Sequence, residues 1–435
     1  MKNFFVSRTS LIFFLAIGGI LTFTLPVFAE KTKEAEPSAP AASGGASLTL
    51  ADCYQLAIAQ SEKVAIQKES ITQTEARLLQ AFGNIMPEIS FSYSEERQNG
   101  TDSNDPEAKF VVTQPLFSGF KEFASIGAGR AQLRQFQNAV RRAKELLFID
   151  VSDAFYLYLS YQEDLTALDT IKQALIEQLG ELEKREKLGR SRPSEVASAE
   201  VRLRRLEADA ELAASQKEVA GELLRFLIGR PVKELKDEDI DFTTVSAREN
   251  YLAKSDMRAD VLAVKEAFAA SQKQITVARA DYFPTVELGG NYYTKPAGDS
   301  SDVDWDATLT VDAPIFNGTE TYGKVKEARS LSKQEELNLK SASRNATLEI
   351  DNAYTKFQAS LRRRDVLERA YQAAVKNYEL QTADFHLNLV NNLEVLQALE
   401  DLEDTRRQYT QALYDAKRLF WALKAATGDI PDGHF

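Results

Sequence analysis

The chain has 435 residues, 27% of them charged, and its 65 acidic against 53 basic side chains give a formal net charge of −12. That excess of negative charge excludes a nucleic-acid partner, which needs a cationic face to displace counterions. One cysteine, Cys53, excludes an intrachain disulfide framework, and two histidines, His386 and His434, leave little material for catalysis.

Residues 1–29 place Lys2 and Arg8 ahead of an apolar run from Leu11 to Leu25, with Val27 and Ala29 as small residues at a cleavage site. The run is too short to span a bilayer and is followed by Pro26 and a polar tract, so a secretory signal is expected. Removing Lys2 and Arg8 moves the net charge from −12 to −14. Residues 30–47, rich in Pro, Ala, Ser and Gly, read as a flexible leader. Leu50-Ala51-Asp52-Cys53 has the outline of a lipidation box. Asp52 replaces its small residue and the apolar core lies far upstream, so a buried or partly exposed thiol is expected instead.

The segments QPLFSGF (114–120) and APIFNGT (313–319) put Pro115 and Pro314 199 residues apart. The same offset carries Ala154 onto Ala353, Leu188 onto Leu387, Glu195 onto Glu394 and Gly229 onto Gly428. Upstream, an offset of 197 carries Val64 onto Val261, Pro87 onto Pro284 and Ile89 onto Val286. Self-similarity at a fixed period marks a tandem repeat. The first copy spans 48–229 and the second 258–428, with an inter-repeat, equatorial segment at 230–257 and a tail at 429–435.

Each copy opens on a helical stretch, Leu56 to Met86 or Met257 to Phe283, stopped by Pro87 or Pro284. Alternation with a period of two follows. Ile89, Phe91 and Tyr93 alternate with Ser90, Ser92 and Ser94, and Val286, Leu288 and Tyr292 with Glu287, Gly289 and Asn291. Polar loops at 99–107 and 296–302 lead into second alternating runs: Phe110, Val112 and Leu116 in one copy, and Trp305, Ala307, Leu309 and Val311 in the other. Strands are expected at about 88–97, 108–117, 285–293 and 304–313. Ten residues at ~3.3 Å each, tilted near 45°, cover roughly 23 Å, close to the lipid-facing band of a membrane barrel. Glu287, Asp306 and Asp312 would then line its lumen.

Beyond each Pro-aliphatic-Phe-x-Gly motif about 70 residues run without proline, enough for a helix of about 105 Å. In the first copy a seven-residue recurrence (Ile126, Leu133, Val140, Leu147, Ala154, Tyr161, Leu168, Leu175, Leu182) demands a packed helix partner. The matching second-copy stripe, from Val325 and Ser332 to Ala374 and Gln381, is smaller and more polar, which implies closer helix approach. The chain turns at KLGRSRPSEV (187–196) and HLNLVNNLEV (386–395), where Gly189 and Asn388 suit a left-handed helix end and Ser194 a following cap. Hairpins at about 119–228 and 319–427 result, with return helices of about 52 Å. Four strands cannot close a membrane barrel, for which about eight is the practical minimum, so either no membrane is crossed or several chains share one barrel.

At Arg258 to Val261, in ARADYFPTVEL (278–288), in the paired QPLFSGF and APIFNGT, and at the tips LGRSRPSEV and LNLVNNLEV, the chain resembles the outer membrane efflux proteins, the TolC-like channels, over about residues 48–428. The resemblance implies a mainly α fold with a small membrane β-barrel. It implies a homotrimer whose twelve strands make one barrel in outer membrane lipid, continued by an α-helical tunnel into the periplasm. It implies passive export of small molecules or proteins, through tripartite efflux or type I secretion, with a periplasmic adaptor and an inner-membrane transporter as partners. Gly189, Arg190, Ser191, Ser194, Glu195, Asn388, Asn391 and Asn392 would form the periplasmic tip and adaptor-docking surface, and Glu394 the pore gate.

The second tip departs from the family's pattern at Asn388-Leu389-Val390, and Gln397 stands where a second acid would complete a closing ring. Three carboxylates ~7 Å apart repel by about 0.6 kcal/mol per pair in bulk water and about 2.4 at an effective dielectric of 20, enough to bias ion selectivity rather than hold a pore shut. An enzyme is not expected, because no glycine-rich phosphate loop or metal-spaced cluster appears, and no cofactor is implied. A soluble periplasmic coiled-coil adaptor is the alternative, although such adaptors carry one hairpin flanked by β-rich domains.

Overall fold

A computed structural model of the chain describes residues 47–96, 105–232, 234–242, 245–297, 301–387 and 389–430. The signal, all but the last residue of the leader, parts of both strand loops, Asn388 and His434 lie outside the described residues.

Two helices, α1 (Leu50–Gln60) and α2 (Glu62–Gly83), come first. Thr49 and Asp52 cap α1 reciprocally: Asp52 N donates to Thr49 Oγ1 at 3.2 Å, and Thr49 N donates to Asp52 Oδ2 at 3.0 Å. Cys53 is therefore the fourth residue of a helix, and it packs fully buried beside Leu50, Tyr54 and Ala57. Burial, helped by the Asp52 charge, pushes its thiol up to about 12. The helical stretch expected from Leu56 thus starts at Leu50 and breaks at Ser61, whose extended backbone ends α1 and whose Oγ accepts from Val64 N at 3.4 Å to start α2.

The hairpin of β1 (Glu88–Glu96) and β2 (Asp105–Ser118) follows, then α3 (Lys121–Lys187) and its return helix α4 (Pro193–Ile228). A connection carrying α5 (Arg248–Leu252) and a 3-10 turn at Ser255–Met257 leads to α6 (Ala259–Ala280), β3 (Thr285–Lys295), β4 (Trp305–Asp312), α7 (Glu320–His386) and α8 (Asn392–Ala426). The order helix, strand pair, long helical hairpin occurs twice.

The strands form one antiparallel sheet in the order β1-β2-β3-β4. In the first hairpin Glu88 faces Thr113, and in the second Thr285 faces Asp312. Adding 197 to Glu88 and 199 to Thr113 gives that second pair, so the offsets in sequence are also offsets in register. The attached helices pack in the same succession, α2 on α3, α3 on α6 and α6 on α7.

The repeated motif is the corner between strand and long helix. Gly119 and Gly318 hold φ of 64° and 68°, a left-handed conformation that glycine adopts without penalty. A Cβ on Gly119 would lie 2.6 Å from the Ala280 carbonyl oxygen, so this corner also needs the missing side chain to let α6 approach.

Both long helices contain 67 residues, about 100 Å at 1.5 Å each. Along α3 the heptad residues Ile126, Val140, Leu147, Ala154, Leu168, Leu175 and Leu182 are buried, with Leu133 and Tyr161 half-buried. On α7 the stripe of small residues is buried at Val325, Ser332, Ala346, Ser360 and Ala374. Ser332 meets α6 through a 3.1 Å hydrogen bond between its Oγ and that of Ser271. One core joins α1, α3, α4 and α8 around Phe148, Phe155 and Tyr156, where Trp421 Nε1 donates to Tyr156 Oη at 3.2 Å. A second joins both hairpins toward their tips. In a third, Phe242 of the inter-repeat segment lies 5.9 Å from the rings of Phe357 and of Phe420.

Arg258 is the largest fully buried side chain. Its guanidinium donates to Asp260 through Nε and Nη2 (3.0 and 2.6 Å) and to Glu349 on α7 at 2.6 Å. Arg142 on α3 lies 3.8 Å from Asp260, 3.6 Å from Glu349 and 3.2 Å from the buried Glu145. Burial works to raise the Asp260 carboxyl, but the Arg258 hydrogen bonds and charge outweigh it and hold the group below the usual range. Burial wins at Glu145, which is raised.

Arg258→Met should cost about 3 kcal/mol, the lower end of what breaking a buried pair costs, because Glu349 keeps half its side chain in water. Thermal unfolding followed by circular dichroism checks this. Because the Asp260 carboxyl is depressed, the stability it contributes is present at neutral pH and is lost as pH falls through its folded value. The gap between variant and wild type should therefore narrow in acid. Gly119→Ala should lower the melting temperature by an amount beyond the ~1–2 kcal/mol left-handed cost, read in the same measurement, since the Ala280 backbone must also move.

Candidate functional site

The sheet presents two chemically opposite faces. On one, the pairs Ile89–Val112, Phe91–Phe110, Leu288–Leu309, Val286–Val311 and Tyr292–Trp305 lie directly across from each other. Ile89, Phe91, Phe110, Leu288, Tyr292, Trp305, Leu309 and Val311 are exposed. A contiguous apolar face of this kind marks a membrane or partner contact rather than a soluble exterior. Phe91, Phe110, Tyr292 and Trp305 stand opposite one another in turn across all four strands, a row of aromatics on this face. Barrels carry such girdles at the membrane interface. Among the described residues no helix is long and apolar enough to cross a membrane.

The opposite face is polar. Asp306 accepts from Asn291 Nδ2 at 2.9 Å and from Tyr293 Oη at 2.8 Å, while Lys109 pairs with Glu107 at 2.8 Å and lies over the Tyr293 ring. Glu287, opposite Thr310, and Asp312, opposite Thr285, share this face with Asp306.

The other end of the molecule is the pair of hairpin turns. After α3 the Gly189 N–H donates to Glu186 O and the Arg190 N–H to Arg185 O, both at 2.8 Å. This is a Schellman end, with Gly189 at φ 70°. Ser194 does not cap the next helix. Pro193, whose fixed φ suits the first helical position, starts α4 one residue earlier, with Arg192 before it. Ser191 Oγ instead donates to the Glu195 carboxylate at 2.6 Å. Gly189, Arg190 and Ser194 are exposed, and Ser191 and Glu195 half-buried.

At the second turn Asn391 caps α8: its Oδ1 accepts from the Leu393 and Glu394 N–H groups at 2.9 and 3.3 Å, and its own N–H donates to Glu394 Oε2 at 3.0 Å. Glu394, expected as a gate, is therefore also half of a capping box. Asn392, expected on the docking surface, is buried and accepts from Gln178 Nε2 of α3 at 2.7 Å. It is a joint between the hairpins. Asn388 lies outside the described residues. Sequence reasoning passed over Leu188, Leu387, Leu389 and Leu393, which ring the two turns with exposed apolar surface.

Arginines fasten the hairpins together above the turns: Arg202 to Glu400 at 2.5 Å, Arg407 to Asp164 at 2.9 Å and Arg418 to Asp153 at 3.0 Å. Glu403, buried among them, has its carboxyl raised by burial against the pull of Arg202 and Arg407.

Residues 255–429 match the family model described as outer membrane efflux protein. The outer membrane protein TolC of Vibrio cholerae is 21% identical over 377 residues, covering 84% of this chain and 85% of that protein. The solved outer membrane protein VceC from Vibrio cholerae is 19% identical with a TM-score of 0.75, covering 87% of this chain and 96% of that one. The MtrE outer membrane channel of Neisseria gonorrhoeae is 18% identical with a TM-score of 0.74, covering 87% and 88%. At these identities the solved structures establish the fold, mainly helical with a small sheet. The match over residues 255–429, the TolC relative and the shared fold make the chain similar to outer membrane efflux channels.

Proposed function

We propose that three copies of the chain share one twelve-stranded barrel, three times the four strands of the sheet, and that its helices continue the barrel into a periplasmic tunnel. The duct passes small molecules or proteins outward without acting on them chemically, as the exit of a tripartite efflux or type I secretion system. The observation that carries this reading is an amphipathic four-stranded sheet with an exposed apolar face and two open edges. In lipid, unpaired edge groups cost several kcal/mol each, so the sheet is stable there only when other copies continue it. The exposed apolar residues of α4 (Leu212, Val219, Leu223, Phe226) and α7 (Leu337, Leu348, Val366) support burial against neighbouring copies. Glu287, Asp306 and Asp312 then face a water-filled lumen.

At the periplasmic end, Gly189, Arg190, Ser191, Ser194, Glu195 and Asn391 form the tip that receives an adaptor, behind which an inner-membrane transporter drives export. The exposed leucines give that surface the apolar area a docking site needs. Glu394 is the gate candidate, with one carboxylate oxygen already used in capping.

The purified protein should form ion-conducting pores in a planar bilayer and run as a trimer in detergent; a protein that stays monomeric and conducts nothing would remove the proposal. Glu394→Gln separates gate from cap, because glutamine keeps the capping bond and loses the charge. A gating role predicts reduced cation selectivity in both Glu394→Gln and Glu394→Ala, whereas a purely structural role predicts a wild-type Gln variant and about 1 kcal/mol lost in Ala. Arg190→Glu and Leu389→Asp should each weaken adaptor capture in a pull-down, and unchanged capture would place docking elsewhere.

A further inference from the structure

We infer that a cleft between α7 and α8 is a transit site for amphiphilic organic anions, small molecules with a flat apolar body and one acidic group. The inference rests on the duct reading and names a class of cargo for it.

The cleft has a volume of about 430 Å³, within the range of ordinary small-molecule sites and far too small for a docked protein segment. Its floor is small and apolar, with Ala359 of α7 beside Ala412, Leu419 and Ala422 of α8. The repeat shows what makes this level of the second hairpin different. The offset of 199 sets Ser360 against Tyr161 and Ala422 against Leu223. The second hairpin thus has less side-chain volume between its helices than the first. The same offset sets Lys356 against Leu157 and Arg363 against Asp164. Two cations stand where the first copy has an apolar residue and an acid, and that acid is already engaged with Arg407 at 2.9 Å. Space and positive charge were therefore gained at one place, which an ordinary solvated helix face does not require.

The two cations are free to take an anion. Arg418, also at the cleft, is neutralised by Asp153 at 3.0 Å and by Asp415 at 3.4 Å. Lys356 and Arg363 are exposed and form no ion pair among the described residues. Seven residues apart on α7, about 10.5 Å along its axis, they bracket Ala359 and Ser360. An acidic group held between them leaves an attached apolar body on the alanine floor. The need for both parts follows, since the floor offers no polar partner and the rim little apolar surface.

The cleft opens away from the inter-repeat segment. At 3.6 residues per turn, Ala412, Asp415, Leu419 and Ala422 point roughly 150° round α8 from Tyr414, Lys417 and Trp421. Those three face the segment and the core beneath it: Lys417 Nζ donates to Asp237 Oδ2 at 2.6 Å, and Tyr414 and Trp421 belong to the core that includes Leu235. A ring of helices accommodates such an extra layer on its outside, where the circumference is larger. In the proposed tunnel the cleft therefore faces the lumen. Exposed cations attract an anion weakly, and conduction needs binding favourable enough to enter yet weak enough to leave, so the site suits passage rather than retention.

Two measurements on the full-length protein, with naphthalene-2-sulfonate as probe, test the inference. Calorimetric titration of the protein in a non-ionic detergent should show binding that is about tenfold weaker when Lys356→Gln and Arg363→Gln are combined. Ala422→Leu, which fills the cleft as Leu223 does in the first copy and keeps both cations, should weaken binding as much. Sulfate, which lacks the apolar body, and 2-naphthol, which lacks the charge, should each bind wild type at least tenfold more weakly than the probe. Because the glutamine pair alters exposed side chains only, its loss of binding should come with an unchanged melting temperature. Equal binding by wild type and the glutamine pair would overturn the site. In planar bilayers the probe should reduce the wild-type single-channel current, and about ten times more of it should be needed for the glutamine pair. Binding without any reduction of current would overturn the lumen-facing placement. Pores with no probe binding would overturn the transit site and leave the duct reading intact, whereas probe binding by a protein that forms no pores would overturn the duct reading and the transit role with it.

Discussion

The constraint on which the structure depends is that a backbone N–H or C=O in hydrocarbon must be hydrogen-bonded within protein. A sheet of four strands meets it everywhere except along the outer rims of β1 and β4. Because the apolar face of Phe91, Phe110, Tyr292 and Trp305 suits lipid and the face of Asp306 and Asn291 suits water, the sheet is at home only as part of a wall between the two. Membrane location and the proposed self-association therefore rest on one requirement.

The helical part follows from how it is joined to that wall. Neighbouring strands lie about 4.8 Å apart, whereas packed helices need 8–10 Å. Four helices attached to four adjacent strands cannot simply prolong them, so each corner must let the chain change direction. Pro87 and Pro284 end the helices that enter the sheet, and Gly119 and Gly318 turn the chain into those that leave it. Below the corners the buried Arg258, with Arg142, binds α3, α6 and α7 through Asp260, Glu349 and Glu145. That network lies at the level where α6 begins, so it fixes the spacing of three helices before the sheet imposes its own.

Much of this is legible in the chain because the repeat states each element twice. Alternation at Ile89, Phe91 and Tyr93 corresponds to β1, and the proline-free stretches correspond to the two 67-residue helices. What escaped depends on local competition that periodicity does not register. Ser61 breaks a stretch with no proline or glycine because its hydroxyl accepts a backbone N–H and its own backbone is extended. Pro193 outcompetes Ser194 for the start of α4 by removing a donor that would otherwise need a cap. Asn392 shows the same limit from the tertiary side: its burial comes from Gln178, 214 residues away in sequence. The exposure of the tip leucines Leu188, Leu387, Leu389 and Leu393 is likewise not written in periodicity. Exposure is a property of the ends of hairpins, where the partner helix has already turned away.

The two copies of the repeat are alike in register and unlike in environment, and the difference has a direction. The first copy's corner is crowded, with Gly119 pressed against the Ala280 backbone, whereas the space around Gly318 is open. The first copy's long helix buries a continuous heptad, while Leu331, Leu337, Leu348 and Val366 of the second copy's long helix face solvent. The corner is the plainest case: the first copy's is filled by the Ala280 backbone of the second. Open places of this kind suit the contact between copies that the proposed barrel requires. A duplicated unit ends in an unsatisfied copy of its own internal junction unless a ring closes, and the proposed barrel would supply to the β4 rim what β3 supplies to β2.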